Sequence, residues 1–391
     1  MHQTLFRALT RIAVAFTGGP ALLLAAAGCH APPPRELRIA LLAAATGPRA
    51  ASSGVPAVEG ARLAVEELNA AGGVRIGEQT LRVRLVDGSY DDRTDAAAGK
   101  AREVINLDSV DAVVGPQMSA HAAAVAAVAE MAGVPMISPM ASSPVVTAGR
   151  RFVFRLAFLD AFQGSLLAGY AADTMHLRRT GILYDAASPY GREIAALFTK
   201  TFEARGGRVV ATETFLSDGG YDFRPQLRRL LARSPDAILL PNYAQQDSFQ
   251  VRQARALGFR GRFLGSDSWD PESLQRIDEA VGAVLVSNWN YRVDRPQSRD
   301  FVARFERRYG HRPRSTAAVT YDAIRLLADA AQRAGTLDGT AWSRMIASTA
   351  LYEGVASRYR FRGTGDPLRG GVVIYLTSTG DSVLTVQEPP E

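Results

Sequence analysis

The feature that most constrains the fold of this chain is a regular alternation of short apolar segments with longer amphipathic ones. An apolar segment over residues 38–43 is followed by an amphipathic one over 58–70, which ends at a pair of glycines. The pattern continues to residue 137 and resumes over 152–264. Strands that alternate with helices form parallel sheets covered by helices on both faces. The sequence therefore predicts an α/β fold with two doubly wound parallel-sheet lobes, joined by short crossings because no Ser/Gly-rich linker separates the runs.

The N-terminal segment is typical of a secretory signal. Residues 1–11 contain Arg7 and Arg11 and no acidic residue, and the apolar residues 12–27 that follow are interrupted by glycine and proline. A membrane-spanning helix needs ~20 consecutive apolar residues, so this segment is too short to be one. We therefore interpret residues 1–28 as a signal peptide that is removed.

Cys29 is the only cysteine of the chain, so no internal disulfide can form. The Ala-Ala-Gly-Cys sequence that it ends resembles the bacterial lipobox, although Ala26 stands where a leucine is usual. This resemblance implies that Cys29 carries a lipid and holds the protein on a bacterial membrane. The alternative is a signal peptide without lipidation. Three prolines after Cys29 predict an extended tether over residues 29–36.

Charge and motif content exclude two classes of function. Lys and Arg number 45 against 39 Asp and Glu, but the basic residues are scattered among apolar ones, and no zinc-finger spacing or RNP-like run is present. The five histidines show no metal-ligand spacing, and there is no HExxH, Walker A or nucleophile-elbow motif. We therefore expect no nucleic-acid partner, no catalytic residue, no cofactor and no metal, and a binding protein rather than an enzyme.

Polar residues follow the ends of several predicted strands, where parallel sheets bind ligands. Ser119 opens a predicted helix after one strand, so its hydroxyl, the first backbone N–H groups and the helix dipole can together hold a carboxylate. The simpler alternative is N-capping by Ser119. The next loop, over residues 138–144, adds hydroxyls and carbonyls that can meet both halves of a zwitterion.

In the second run, Tyr243 and Asp267 each follow a strand end. An aspartate in a cleft is a natural partner for an ammonium group, and a tyrosine provides an apolar wall with a polar tip. The alternatives are an aspartate that caps a turn or helix and a tyrosine on the surface.

Short motifs occur in a specific order from about residue 38 to 375. They are Thr46-Gly47-Pro48, Gly60-Ala61, Asn69 to Gly73, Asp91-Asp92 with Asp95, Val114-Gly115 with Ser119, Ile137-Ser138-Pro139 with Ala141-Ser142, Asp160 with Gln163-Gly164, Pro189-Tyr190-Gly191, Gln253-Ala254-Arg255 with Gly258, and Tyr321-Asp322-Ala323. This order resembles the periplasmic leucine/isoleucine/valine-binding protein family. The resemblance implies a type I periplasmic binding fold, in which two lobes joined by a hinge close over a ligand and feed an ATP-driven importer.

The resemblance also implies a set of ligand-binding residues. Ser119 takes the place of the serine that binds the ligand carboxylate, and Asp267 that of the acidic partner of the ammonium group. Four further positions fall in the loops that contact the ligand: Ala141, Ser142, Tyr190 and Tyr243.

The side-chain end of the predicted pocket departs from the family pattern. The aromatic residue expected after Thr46-Gly47-Pro48 is replaced by the small residues 51–53, and Met140 and Trp289 add bulk elsewhere. We therefore expect a branched-chain or other amino-acid-like ligand. The alternative function is a ligand-sensing or regulatory lipoprotein of the same fold, such as an amide or amino-acid sensor or an activator of cell-wall enzymes.

These observations define an expected organisation. Lobe 1 comprises residues 37–156 with 288–352, and lobe 2 comprises 157–287 with 353–391. The predicted partners are a small-molecule ligand, the membrane permease of an ABC importer, and a membrane reached through the N-terminal lipid. We expect a monomer in the periplasm or another extracytoplasmic compartment.

Overall fold

The first run of alternating segments forms a parallel five-stranded sheet in the computed structural model, which describes residues 35–217, 220–274 and 276–387. The strands are β1 (Leu37–Leu41), β2 (Ala44–Thr46), β3 (Val74–Ile76), β4 (Gln79–Leu81), β5 (Val83–Asp87), β6 (Tyr90–Asp91), β7 (Ala112–Val114), β8 (Met136–Ser138) and β9 (Val153–Arg155). The helices are α1 (Val55–Ala70), α2 (Thr94–Asn106) and α3 (Ser119–Ala132). The sheet has the order β5-β1-β7-β8-β9, and β2-β6 and β3-β4 form two small pairs.

The second run forms the parallel part of a seven-stranded sheet. Its strands are β10 (Arg179–Asp185), β11 (Arg208–Phe215), β12 (Ala237–Leu240), β13 (Arg262–Gly265) and β14 (Val284–Ser287). Its helices are α4 (Asp160–Gly169), α5 (Pro189–Ala204), α6 (Arg224–Leu231), α7 (Ala244–Ala256) and the short α8 (Pro271–Leu274). The helix α5 begins cleanly because Ser188 accepts a hydrogen bond from the Gly191 N–H and a proline follows it.

The C-terminal part returns to both sheets. Its elements are α9 (Pro296–Tyr309), α10 (Ser315–Ala334), α11 (Gly339–Ala347), β15 (Tyr352–Glu353), β16 (Arg358–Phe361), β17 (Pro367–Leu368), β18 (Gly371–Thr377) and β19 (Gly380–Gln387). The strands β18 and β19 extend the second sheet antiparallel, in the order β11-β10-β12-β13-β14-β18-β19. The sequence predicts parallel sheets and does not indicate this antiparallel edge. The strands β18 and β19 are antiparallel because a tight turn joins them, which parallel neighbours do not allow.

Both faces of each sheet are buried, as a doubly wound fold requires. Along β1, Leu37, Ile39 and Leu41 belong to one hydrophobic cluster, whereas Ala40 and Leu42 belong to another. The strand β12 alternates in the same way between two clusters. The helix α10 packs against α1 with almost no space between the backbones: a Cβ at Gly60 would lie 2.1 Å from the carbonyl oxygen of Ala317.

The chain crosses between the sheets three times, over residues 156–159, 288–295 and 369–370. Arg369, which is 2% exposed, lies in the third crossing. Its guanidinium donates to the Leu156 carbonyl at 3.1 Å in the first crossing and to Asn288 Oδ1 at 3.1 Å in the second. It also donates to the Asn288 carbonyl. One buried side chain therefore connects all three crossings.

Residues 353–368 contact the first sheet and its helices. Asp322 of α10 accepts hydrogen bonds from Val355 N at 2.7 Å, Ala356 N at 2.9 Å and the Tyr359 hydroxyl at 2.8 Å. The sequence-based division assigns this segment to lobe 2. We propose instead that lobe 1 extends to β17 and that lobe 2 resumes at β18.

Several predictions concern the N-terminus, which lies outside the described residues. They are the signal peptide over 1–28, the lipid at Cys29 and the tether over 29–36, of which only the last two residues are described. Within the described ranges, no helix is both long and apolar enough to cross a membrane.

Candidate ligand site

A cavity of about 340 Å³ lies between the carboxyl ends of the strands of the two sheets, a volume within the range of small-molecule sites. Lobe 1 contributes the loops after β7 and β8, and lobe 2 contributes the loops after β10, β12 and β13. Five of the six predicted ligand-binding residues line it: Ser119, Ser142, Tyr190, Tyr243 and Asp267. The strand-end rule of parallel sheets accounts for this convergence.

Ala141 is the sixth predicted residue, and it is not among those that line the cavity. It is 1% exposed, and its carbonyl accepts a hydrogen bond from Arg155 Nη1 at 3.0 Å. Its backbone therefore holds the loop after β8 against β9.

In lobe 1, Ser119 is the first residue of α3, and the helix begins without a capping side chain. The Ser119 hydroxyl instead accepts from the Ser143 N–H at 3.4 Å, which joins the two predicted loops. N-capping, the simpler alternative, is not the role that this hydroxyl has here. The first N–H groups of a helix have no intrahelical acceptor and carry the positive end of its dipole, so this corner of the cavity suits a carboxylate.

In lobe 2, Asp267 is the centre of a hydrogen-bond network. Its Oδ1 accepts from the Tyr190 hydroxyl at 2.6 Å, and its Oδ2 accepts from Asn288 Nδ2 at 2.6 Å. The Tyr190 ring stacks on that of Tyr243, with ring centres 5.6 Å apart and planes 15° apart. A carboxylate has about four acceptor sites, so Asp267 can also accept from a ligand ammonium group.

Two carboxyl groups give the site its electrostatic character. Burial raises the pKa of Asp267, although hydrogen bonds from Tyr190 and its neighbours counteract part of this effect. Asp160 is fully buried at the start of α4, and burial raises its pKa to about 8, with the nearby charge of Asp267 adding to the rise. Its Oδ1 accepts from Gln163 Nε2 at 2.8 Å. A cationic group bound in the cavity beside Asp267 would favour the charged forms of both carboxyls.

Two arginines of lobe 1 contact lobe 2 across the cavity. Arg314, just before α10, pairs with Asp270 at 2.6 Å and with Glu272 at 2.8 Å, both at the start of α8. The guanidinium of Arg49 lies 5.1 Å from the centre of the Tyr243 ring. These contacts hold the two walls of the cavity together.

Sequence reasoning missed several residues that line the cavity. Gln117 lies in the predicted loop between β7 and Ser119, and Trp269 lies two residues after Asp267, so the strand-end rule could have identified both. Arg49 directly follows the Thr46-Gly47-Pro48 motif after β2, so the same rule could have identified it. No local signal marks Arg314, because it reaches the cavity from the segment just before α10. In the part of the chain that the structure describes, no three His, Cys, Asp or Glu side chains lie close enough to hold a metal ion.

Two α/β lobes with a ligand-sized cavity at their facing strand ends are the architecture of the type I periplasmic binding fold. A model of the periplasmic binding protein family matches residues 36–380. The chain therefore belongs to this family, which confirms the resemblance and the fold class inferred from the sequence motifs.

Three proteins similar to this chain bind leucine or other branched-chain amino acids according to their names. The leucine-specific-binding protein of Salmonella typhimurium is 27% identical over 305 residues, which cover 77% of this chain and 80% of that protein. A leucine-binding protein from Thermotoga maritima has a TM-score of 0.84 at 30% identity and covers 90% of this chain and 99% of its own. A branched-chain amino acid binding protein from Streptococcus pneumoniae, solved with isoleucine, has a TM-score of 0.83 at 28% identity and covers 91% and 99%.

Proposed function

We propose that this chain is the extracytoplasmic solute-binding protein of an ABC importer and that it captures an amino-acid-like ligand between its lobes. The observation that carries the proposal is the placement of Ser119 and Asp267 around one cavity. The start of α3 offers N–H groups and a positive dipole end for a carboxylate. Asp267 offers a carboxylate for an ammonium group in a charge-assisted hydrogen bond. Together they match the two charges of a free amino acid.

Capture of the ligand depends on closure of the lobes. Ser119 belongs to lobe 1 and Asp267 to lobe 2, so only the closed form presents both halves of the site to one ligand. A ligand that bridges them therefore shifts the population toward the closed form.

The remaining parts of the proposal concern compartment and partners. The protein acts without catalysis, as a monomer held on a bacterial membrane by a lipid at Cys29, and delivers its ligand to a membrane permease. The names of its relatives, all binding proteins, support this proposal. Genes for a permease and an ATPase next to this gene would favour the importer over the sensing alternative.

The test is the change Asp267→Ala. It removes the ammonium partner, so affinity for the best-binding amino acid, identified by a thermal-shift screen of amino acids, amides and aromatic acids, should fall at least about 30-fold in calorimetry. The matched control is Asp329→Ala, which removes a half-buried aspartate that is paired with Arg333 on α10 and does not line the cavity. The control should bind as the unaltered protein does. Unchanged affinity in the Asp267 variant would refute the assignment of the site.

A further inference from the structure

The side chain of Gln117 is a buried polar group of the cavity wall without a protein partner. The residue is 4% exposed and lines the cavity. Neither its amide nitrogen nor its amide oxygen has a hydrogen-bond partner among the described residues. A buried amide that forms no hydrogen bond is unfavourable, and native proteins retain few such groups.

The loop that carries Gln117 is held closely against the end of β1. Gly115 has φ +94°, and a Cβ there would lie 2.1 Å from the Leu42 carbonyl oxygen and 3.5 Å from Gln117 Nε2. Only glycine fits this close approach with positive φ. The backbone beside Gln117 is therefore fixed against β1, and the residue is held at the lobe 1 side of the cavity.

Three polar side chains of the cavity wall have partners other than this amide. The Ser119 hydroxyl accepts from Ser143 N. Arg49 Nε donates to Asp92 at 3.0 Å, and Arg314 pairs with two carboxylates of lobe 2. Carboxylates thus neutralise these two arginines. The amide of Gln117, in contrast, has one donor group and one acceptor atom that form no hydrogen bond with any described residue.

We propose that Gln117 determines specificity by hydrogen-bonding a neutral polar group, a hydroxyl or a carboxamide, on the side chain of the ligand. This proposal rests on the proposed function, in which Ser119 and Asp267 hold the two charged groups of the same ligand. The small residues 51–53 also line the cavity, and they leave room for a longer side chain than a bulky aromatic residue would. A purely aliphatic ligand would cover the amide without satisfying it.

Two pairs of nearly isosteric ligands isolate this hydrogen bond: asparagine with leucine, and threonine with valine. Calorimetry on the full chain should show at least one polar ligand binding roughly tenfold to a hundredfold more tightly than its aliphatic partner, as expected for one buried hydrogen bond.

The variant Gln117→Met keeps the length of the side chain and removes both hydrogen-bonding atoms. It should abolish the preference for the polar member of the pair, and its Tm without ligand should stay unchanged or rise, because an unsatisfied amide has been removed. The matched control is Gln226→Met in α6, whose amide oxygen is also buried without a partner but which lies outside the cavity. The control should keep the ligand preference.

The outcomes separate this inference from the proposed function. Equal or tighter binding of leucine and valine than of their polar partners by the unaltered protein overturns the role of Gln117 and leaves the amino-acid site standing. If the Gln117 variant still prefers the polar member of a ligand pair, the role of Gln117 is overturned as well. If no amino acid of the thermal-shift screen binds, the proposed function fails, and the inference fails with it.

Discussion

At the scale of single residues, Asp160 shows how burial sets the charge of this site. The carboxyl is fully buried beside Ser142 and Gln163, and its pKa is raised to about 8 because burial disfavours the charged form. Near neutral pH the group is therefore mostly protonated. Asp267, which has hydrogen-bond donors on both oxygens, is better placed to carry the negative charge that an ammonium group needs.

The charge state of Asp160 predicts a pH dependence of stability. Between pH 4 and pH 8 the folded chain retains a proton that the unfolded chain releases, so its stability should fall as the pH rises through this window. The side chain of the Asp160→Asn variant cannot lose a proton. The free energy of unfolding of this variant, relative to that of the unaltered protein, should therefore increase by up to about 1.4 kcal/mol for each pH unit in this window. Denaturant unfolding at pH 5 and pH 8 measures the difference. The same change in free energy of unfolding between pH 5 and pH 8 in the two proteins would contradict the prediction.

The site could be predicted only where local sequence determines position. Ser119 and Asp267 follow buried strands, and the carboxyl ends of strands converge at one edge of a sheet. Asn288 bonds Asp267 from the crossing after β14, and Arg314 lines the cavity just before the start of α10. Their roles depend on how segments far apart in sequence meet, which no local pattern records.

At the scale of elements, the predicted segments over 38–43 and 58–70 lie within three residues of the bounds of β1 and α1, as strongly periodic patterns allow. The helix α10 was not predicted. Fourteen of its 20 residues are buried, so it lacks the polar face that makes a helix recognisable in a sequence.

Because α1 and α10 are in close contact, we expect that one methyl group added at Gly60 greatly lowers the stability of the protein. Gly60→Ala would place its Cβ 2.1 Å from the Ala317 carbonyl, so the helices must separate, and the change should destabilise the protein by about 1–3 kcal/mol. The matched control is Gly99→Ala in α2, where a Cβ meets no atom within 4 Å. It should instead stabilise by about 0.5–1 kcal/mol, the usual gain from alanine in a helix. Chemical denaturation of both variants compares them directly, and equal stability would show that the helices are not in close contact.

At the scale of the whole molecule, the ion pairs of Arg314 predict how closure and affinity are linked. Arg314 contacts Asp270 and Glu272 across the cavity, and these bonds exist only when the lobes are together. Arg314→Ala should therefore weaken ligand binding by up to about fivefold, an effect of about 1 kcal/mol for partly exposed pairs.

The matched control for this change is Arg308→Ala, which removes the ion pair of Arg308 with Glu66 within lobe 1. Its ligand affinity should not change. High salt should weaken binding to the unaltered protein and have less effect on the Arg314 variant, because salt screens the pairs that the variant lacks. Identical affinities of the two variants in calorimetry would mean that the pairs of Arg314 do not stabilise the closed form.

The hydrogen bonds of Arg369 have a consequence for the geometry of lobe motion. If one lobe slid over the other, the carbonyls of Leu156 and Asn288 would move away from the Arg369 guanidinium in different directions. If the lobes rotated about a line through this guanidinium, the hydrogen bonds would stay nearly unchanged. The motion should therefore be a rotation of the lobes about the crossings rather than a slide, described by an opening angle. Asn288 contacts both Arg369 and Asp267, so that angle also sets where the carboxylate of the site stands.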